Sequence, residues 1–278
     1  MPVILAYLVA SLLYALLGWH FWRTRWQTAG SRATGADTAV AHNWERFAML
    51  APLLLQGFTL YRNVFVGDGL VLGVGTTVSA IVWLTVSIYF LANFFYSLEG
   101  LQTLVSPVAA AAVLLPLAFP GTHPLANTEL PAFRVHLLIA LLAYSLFTIA
   151  ALHAVLMDLL ERRLHHAARP GLFATLPPLL TMEALLFRVL WTGFVLLTLT
   201  LATGIAFSEE LFGKAVTLSH KTVFGFVSWA IFAALLGGRA FYGWRGRVAV
   251  RWTIAGFVVL FLAYVGSKFV LEVILGRG

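Results

Sequence analysis

The 278-residue chain is 61% hydrophobic and 10% charged, with a mean hydropathy of +0.91. Soluble domains hold about 45–50% apolar and about 25% charged residues, so a fold exposed to water on all sides is excluded. The absence of cysteine excludes disulfides, thiolate metal sites and covalent haem attachment through Cys-x-x-Cys-His.

The expected fold class is all-α: a polytopic membrane helix bundle with about eight transmembrane helices. A span needs about 20 apolar residues to cross about 30 Å of hydrocarbon. The first candidate runs Val3–Trp22 and is followed by Arg23 and Arg25, which reads as a retained helix and not a signal peptide. The next is Phe47–Val66, interrupted by Pro52 and Gln56, then Leu70–Phe95. Leu101–Phe119 carries Pro107 and Pro116 and should kink. Phe133–Leu159, Leu185–Phe207, a short Val223–Leu236 starting near Leu218, and Trp252–Leu275 complete the set. Such long continuous runs do not fit a closed β-barrel. The glycines of Gly67–Gly75 read as close helix packing. One membrane domain covers residues 1–278.

The net charge of +7 would point to nucleic acid in a soluble protein. Here no nucleic-acid motif is present, and the basic residues fall between apolar runs, where they determine topology. One side of the bundle collects 12 arginines, including Arg162, Arg188, Arg239, Arg247 and Arg251. The other side holds 6 basic residues, Arg62, Arg134, Lys214, Lys221, Lys268 and Arg277. The richer side is expected to be cytoplasmic and both termini outside. Multi-pass insertion in a bacterial inner membrane follows, with the lipid bilayer as obligatory partner.

Ionisable groups inside a membrane are the default functional candidates. Arg188, with Glu183 about a turn away, and the Lys268–Glu272 pair all lie near helix ends. No carboxylate falls at a midplane, which argues against an ion-coupled transporter. Glu209 and Glu210 are adjacent and make a poor acid/base pair. No nucleophile–base set or phosphate loop emerges, so no enzymatic activity is expected.

The histidines are more informative, because neutral imidazoles on facing helices can hold a haem iron between them. His136 lies about one turn inside the outer end of the fifth span and His220 at the outer end of the seventh. They share a level and a face. Two readings stay open: haem iron ligation, or interfacial histidines bonded to headgroups and loop carbonyls. His153 lies 17 residues beyond His136, at the opposite level, together with His20. A second ligand pair is conceivable there, although anchors beside Trp19 and Trp22 are the better reading. His42, His123, His165 and His166 read as solvated loop residues.

Several segments resemble the cytochrome c assembly family, closest to its YpjD-like branch. They are Phe133–Leu156, FRVLWTGFVLLTLTLATG (Phe187–Gly204), KTVFGFVSW (Lys221–Trp229), YGWRGRVAVRW (Tyr242–Trp252) and AGFVVLFLAYVGSKFV (Ala255–Val270). The resemblance implies non-covalent haem handling, with His136 and His220 as the ligands near the periplasmic face. It also implies cytochrome c assembly or tetrapyrrole-synthesis proteins as partners. Ser208–Phe224 lacks the tryptophan-rich motif of the family's synthesis subunits. Gly237 precedes Gly238-Arg239 where those relatives carry histidine, and Gln56 stands where YpjD-like relatives often carry one. The resemblance is thus to a paralogue and not to a full haem–apocytochrome ligase. The alternative it leaves is a regulatory or scaffold protein, HemX-like, without haem ligation.

Overall fold

A computed structural model describes residues 2–24, 44–45, 47–66, 69–96, 98, 100–120, 128–166, 179–206, 220–270 and 274. His42, His123, Glu209, Glu210 and Glu272 lie outside the described residues, and with them the loop readings and the Lys268–Glu272 pair. So do Ser208–Ser219 and most of the two longest connections.

The chain forms a bundle of apolar helices. They are α1 (Pro2–Trp22), α2 (Leu50–Val64), α3 (Val74–Ala92), α4 (Gln102–Ala112), α5 (Leu115–Ala118), α6 (Pro131–His166), α7 (Leu179–Ala206), α8 (His220–Tyr242) and α9 (Arg247–Phe261). After α9 the chain continues through a π turn, Leu262–Gly266, into α10 (Ser267–Phe269). Among the described residues, six helical segments are long and apolar enough to span a membrane: those of α1, α3, α6, α7, α8 and α9–α10. The shorter α2 and the broken α4–α5 take the second and fourth expected positions.

Local sequence accounts for the irregular places. Val113 and Leu114 part α4 from α5, because Pro116 sits in the first turn of the new helix and cannot continue the old ladder. Between α2 and α3 the chain makes a short antiparallel pair, β1 (Phe65–Val66) with β2 (Gly69–Leu70), which the apolar pattern had not signalled. Gly75 then passes so close to α5 that a Cβ would lie 2.3 Å from the Leu115 carbonyl oxygen. Close packing, as expected of this glycine run, is what it does. The turn from α8 to α9 needs two left-handed residues, Gly243 (φ 65°) and Gly246 (φ 57°), which only glycine adopts cheaply.

Burial is inverted relative to a water-soluble protein. Leu5, Leu12, Leu54, Phe58, Leu138 and Val258 lie exposed on the outside. Gln56, Ser79, Thr85, Ser106, Ser145 and Ser228 are buried within. Lipid satisfies the first set, and interhelical hydrogen bonds satisfy most of the second. Tyr14 Oη donates to Gln56 Oε1 (3.0 Å), and Gln56 Nε2 reaches the Ser79 carbonyl and hydroxyl oxygens (both 3.2 Å). Three helices are joined by this one amide. Ser145 Oγ donates across to the Ile81 carbonyl, tying α6 to α3 (3.0 Å).

The last four long helices close into a ring in which each packs on its chain neighbour and α9 returns to α6. Helices α6 and α8 are therefore diagonal and meet across the middle, where Phe147 stacks on Phe232 at 4.0 Å between centroids. Small residues let the ring close: Gly193 lies against Phe147 and Gly256 against Phe232. The first helices pack outside this ring, with α3 against α6.

Candidate functional site

One end of the ring gathers charge, and the other gathers imidazole, phenol and ammonium groups. At the charged end, Arg239 Nη1 lies 2.7 Å from Glu183 Oε1, and Glu183 Oε2 accepts the Gly246 N–H (3.1 Å). The Arg239 guanidinium also covers the Phe187 ring at 4.8 Å and donates to the Trp244 carbonyl. Glu183 therefore belongs to α8 and its turn, not to Arg188. That residue instead lies over the Tyr96 ring at 5.9 Å. Arg162 pairs with Asp158 (2.7 Å) and Arg247 with Glu161 (3.1 Å).

At the opposite end His136 sits in the second turn of α6, half-buried, with Nδ1 2.8 Å from Thr203 Oγ1 on α7. The Thr203 hydroxyl lies 2.7 Å from the Leu199 carbonyl and 3.2 Å from that of Thr200, which can only accept. Its single proton is thus committed to α7, and the oxygen must accept from His136. The proton of His136 accordingly resides on Nδ1. Nε2 is left with its lone pair and makes no hydrogen bond among the described residues. Gly204 opens space beside the ring, since a Cβ there would stand 3.4 Å from Cε1.

His220 is the first residue of α8 and is exposed. His136 precedes Phe147 by about 16 Å of helix, and His220 precedes Phe232 by about 18 Å. Both helices run the same way from the same ring stack, so the two imidazoles share a level on diagonal helices of the ring. Among the described residues no contact joins the two rings, and no group of three or more metal-ligating side chains converges.

Sequence reasoning named Lys221 and Lys268 only as basic residues near helix ends and did not bring them together. Lys221 Nζ and Lys268 Nζ flank the Tyr264 ring at 5.7 and 5.8 Å from its centroid. Tyr264 sits in the π turn, 6.3 Å from the Tyr144 ring, and Tyr144 Oη donates to the Leu260 carbonyl (2.9 Å). Lys268 also donates to the Leu72 carbonyl beside the β1–β2 hairpin. Thr203 stands 67 residues from its partner. Most threonines of α7 simply bond their own i−4 carbonyl, so no local pattern marks it.

The other end's histidines part company. His153 is buried, donating from Nε2 to the Met182 carbonyl (2.9 Å), with Nδ1 unpartnered among the described residues. It ties α6 to the start of α7 and is not an interfacial anchor. His20 contacts Glu45 at 3.0 Å and the Trp44 ring at 5.2 Å. The two engage different neighbours and form no pair. Gln56, fully buried, is satisfied by three hydrogen bonds. His165 and His166 prolong α6, where a loop was expected.

A ring of long apolar helices around a small-residue seam defines a multi-pass membrane protein. The chain belongs to the cytochrome C assembly protein family, whose model matches residues 43–275. Among its relatives is the inner membrane protein YpjD of Escherichia coli K12, 34% identical over 175 residues, or 62% of this chain. The match spans 65% of that protein's length. A 28.8 kDa protein of Azospirillum brasilense is 33% identical over 51% of this chain and 52% of its own length. The cytochrome c biogenesis protein CcsA of Prochlorococcus marinus MIT 9515 is 36% identical over 88 residues, 32% of this chain and 28% of its own. No solved structure matches the chain.

Proposed function

We propose that this protein handles haem in the service of cytochrome c assembly, binding it non-covalently near the outer face through His136 and His220 without catalysing a reaction itself. The observation that carries the reading is the 2.8 Å contact of His136 Nδ1 with Thr203 Oγ1, whose own proton is used on α7. A metal-binding histidine characteristically donates its other ring N–H to a neighbouring acceptor, which orients the ring and raises its basicity. Thr203 supplies that acceptor. His220 supplies a second imidazole at the same level. Two ammonium groups around Tyr264 are the chemistry that complements carboxylates such as haem propionates. Bound iron porphyrin would supply a cargo for delivery, and the chain's own residues would hold and orient it. Membership of the assembly family, and the CcsA relative named for cytochrome c biogenesis, agree with this role.

The test is optical. Protein purified from haem-sufficient cells should show a Soret band, and His136→Ala and His220→Ala should each lower haem retention by tenfold or more. A wild-type protein without the band, or variants that keep it undiminished, would overturn the reading. The alternative is a scaffold that acts through partners without haem ligation, and the exposure of His220 favours it. That reading predicts capture of assembly or tetrapyrrole-synthesis proteins from membranes, undisturbed by either histidine substitution.

A further inference from the structure

At the charged end, opposite His136 and His220, α6 and α9 part to form a cleft of about 460 Å³. It is lined by Asp158 and Arg162 from α6, and by Arg247, Val250, Arg251 and Ile254 from α9. We infer that this cleft binds the phosphate of an anionic phospholipid from the adjoining leaflet.

Three guanidiniums meet one carboxylate in the lining, so the cleft is a net cation even after pairing. Glu161, next door, engages Arg247, and Asp158 engages Arg162. Arg251 has no ion-pair partner among the described residues. The two existing pairs are held at the surface, with the Arg162 and Arg247 side chains 67% and 59% exposed. Pairs that exposed are weak, so a phosphate diester, whose two non-bridging oxygens accept a planar guanidinium fork in bidentate fashion, can recruit their guanidiniums.

What selects a lipid over a free anion is the continuation of the site. On α9 the positions three and four residues apart form one stripe: Arg247, Arg251, Ile254, Val258 and Phe261. Its first two members are charged and lie at the helix end. Val258 and Phe261 are exposed apolar residues further along the same helix. The floor of the cleft between them is Val250, which is buried, and Ile254. Cations at the interface above an open apolar track match the polarity of a phospholipid, headgroup to acyl chain. A soluble phosphate would use only the upper half, and the track would have no occupant but bulk lipid.

The experiment is native mass spectrometry of the full chain released from vesicles of phosphatidylglycerol and phosphatidylcholine in equal parts. Selective retention of phosphatidylglycerol is expected, falling about fivefold for Arg251→Gln and further for Arg247→Gln/Arg251→Gln, in line with the attraction of one basic residue to an anionic surface. Arg251→Lys should keep most of the retention. Arg134→Gln, from the opposite end, should change nothing. Equal retention of the two lipids, or retention indifferent to Arg251, would overturn the inference. So would displacement by millimolar inorganic phosphate, which would make the cleft a site for free anions. The readout is independent of haem, so it stands or falls apart from the histidine reading.

Discussion

Removing the Glu183 carboxylate should cost the bundle about 3 kcal/mol. Breaking one partner out of a buried ion pair costs roughly 3–5 kcal/mol, because the remaining charge is stranded. The Glu183 side chain is 8% exposed, but that of Arg239 is 31% exposed and can recover some water, which selects the low end of the range. Two further bonds converge on the site, from the Gly246 N–H to Glu183 and from Arg239 to the Trp244 carbonyl. For a chain of this size, 1 kcal/mol corresponds to about 2–4 °C of midpoint, so Glu183→Ala should lower the apparent Tm by roughly 6–12 °C. Tryptophan fluorescence on heating in detergent measures it, with Trp244 in the turn that the pair secures. Glu183→Gln keeps one acceptor oxygen, enough for Arg239 or for the Gly246 N–H but not for both, and should cost less than the alanine. Glu183→Ala combined with Arg239→Ala should cost clearly less than the two single changes together. A shift under about 2 °C for Glu183→Ala, or strict additivity in the double variant, would refute the reasoning.

Thr203→Val should weaken haem retention roughly 10–100-fold while leaving the thermal midpoint nearly unchanged, and Thr203→Ser should restore it. Absorbance titration of the purified variants with haemin checks both. Gln56→Leu removes three interhelical hydrogen bonds worth about 0.6 kcal/mol each in a membrane, so a loss of roughly 2 kcal/mol is expected with the Soret band untouched. Melting and absorbance of one sample separate the two effects. Gly75→Ala sets a methyl 2.3 Å from a backbone oxygen and should destabilise by about 1–3 kcal/mol or block folding. Gly237→Ala meets nothing within 4 Å inside a helix and should gain about 0.5–1 kcal/mol. Monodisperse yield and Tm report the contrast.

Hydropathy alone located the long spans, since about 20 apolar residues leave a helix few alternatives, although α6 runs past Leu159 to His166 and α7 begins before Leu185, at Leu179. Pro107 and Pro116 marked the irregular fourth span, and the break indeed falls just before Pro116. Partner choice was the part that sequence concealed. Glu183 and Arg188 are close in the chain, yet five residues turn a helix by about 500°, which leaves them about 140° apart around the axis. Only the return of α8 and its glycine turn brings Arg239 to Glu183. His136 and His220 could be assigned a common level by counting turns from the span ends. Which nitrogen of His136 carries the proton depends on Thr203, and nothing within 60 residues of His136 announces it. His153 looked interfacial because it lies 17 residues from His136, but α6 runs on for three more turns to His166 and carries His153 inside.

The acceptor role of Thr203 has a mechanical corollary. Its hydroxyl is anchored one turn back on its own helix, so the donating strength of the His136 ring depends on how near α7 lies to α6. Drawing those helices together would raise the basicity of the free Nε2, and easing them apart would lower it. A protein that must first grip a cargo and later surrender it could work that grip by a small slide of two neighbouring helices, with no side chain entering or leaving the site.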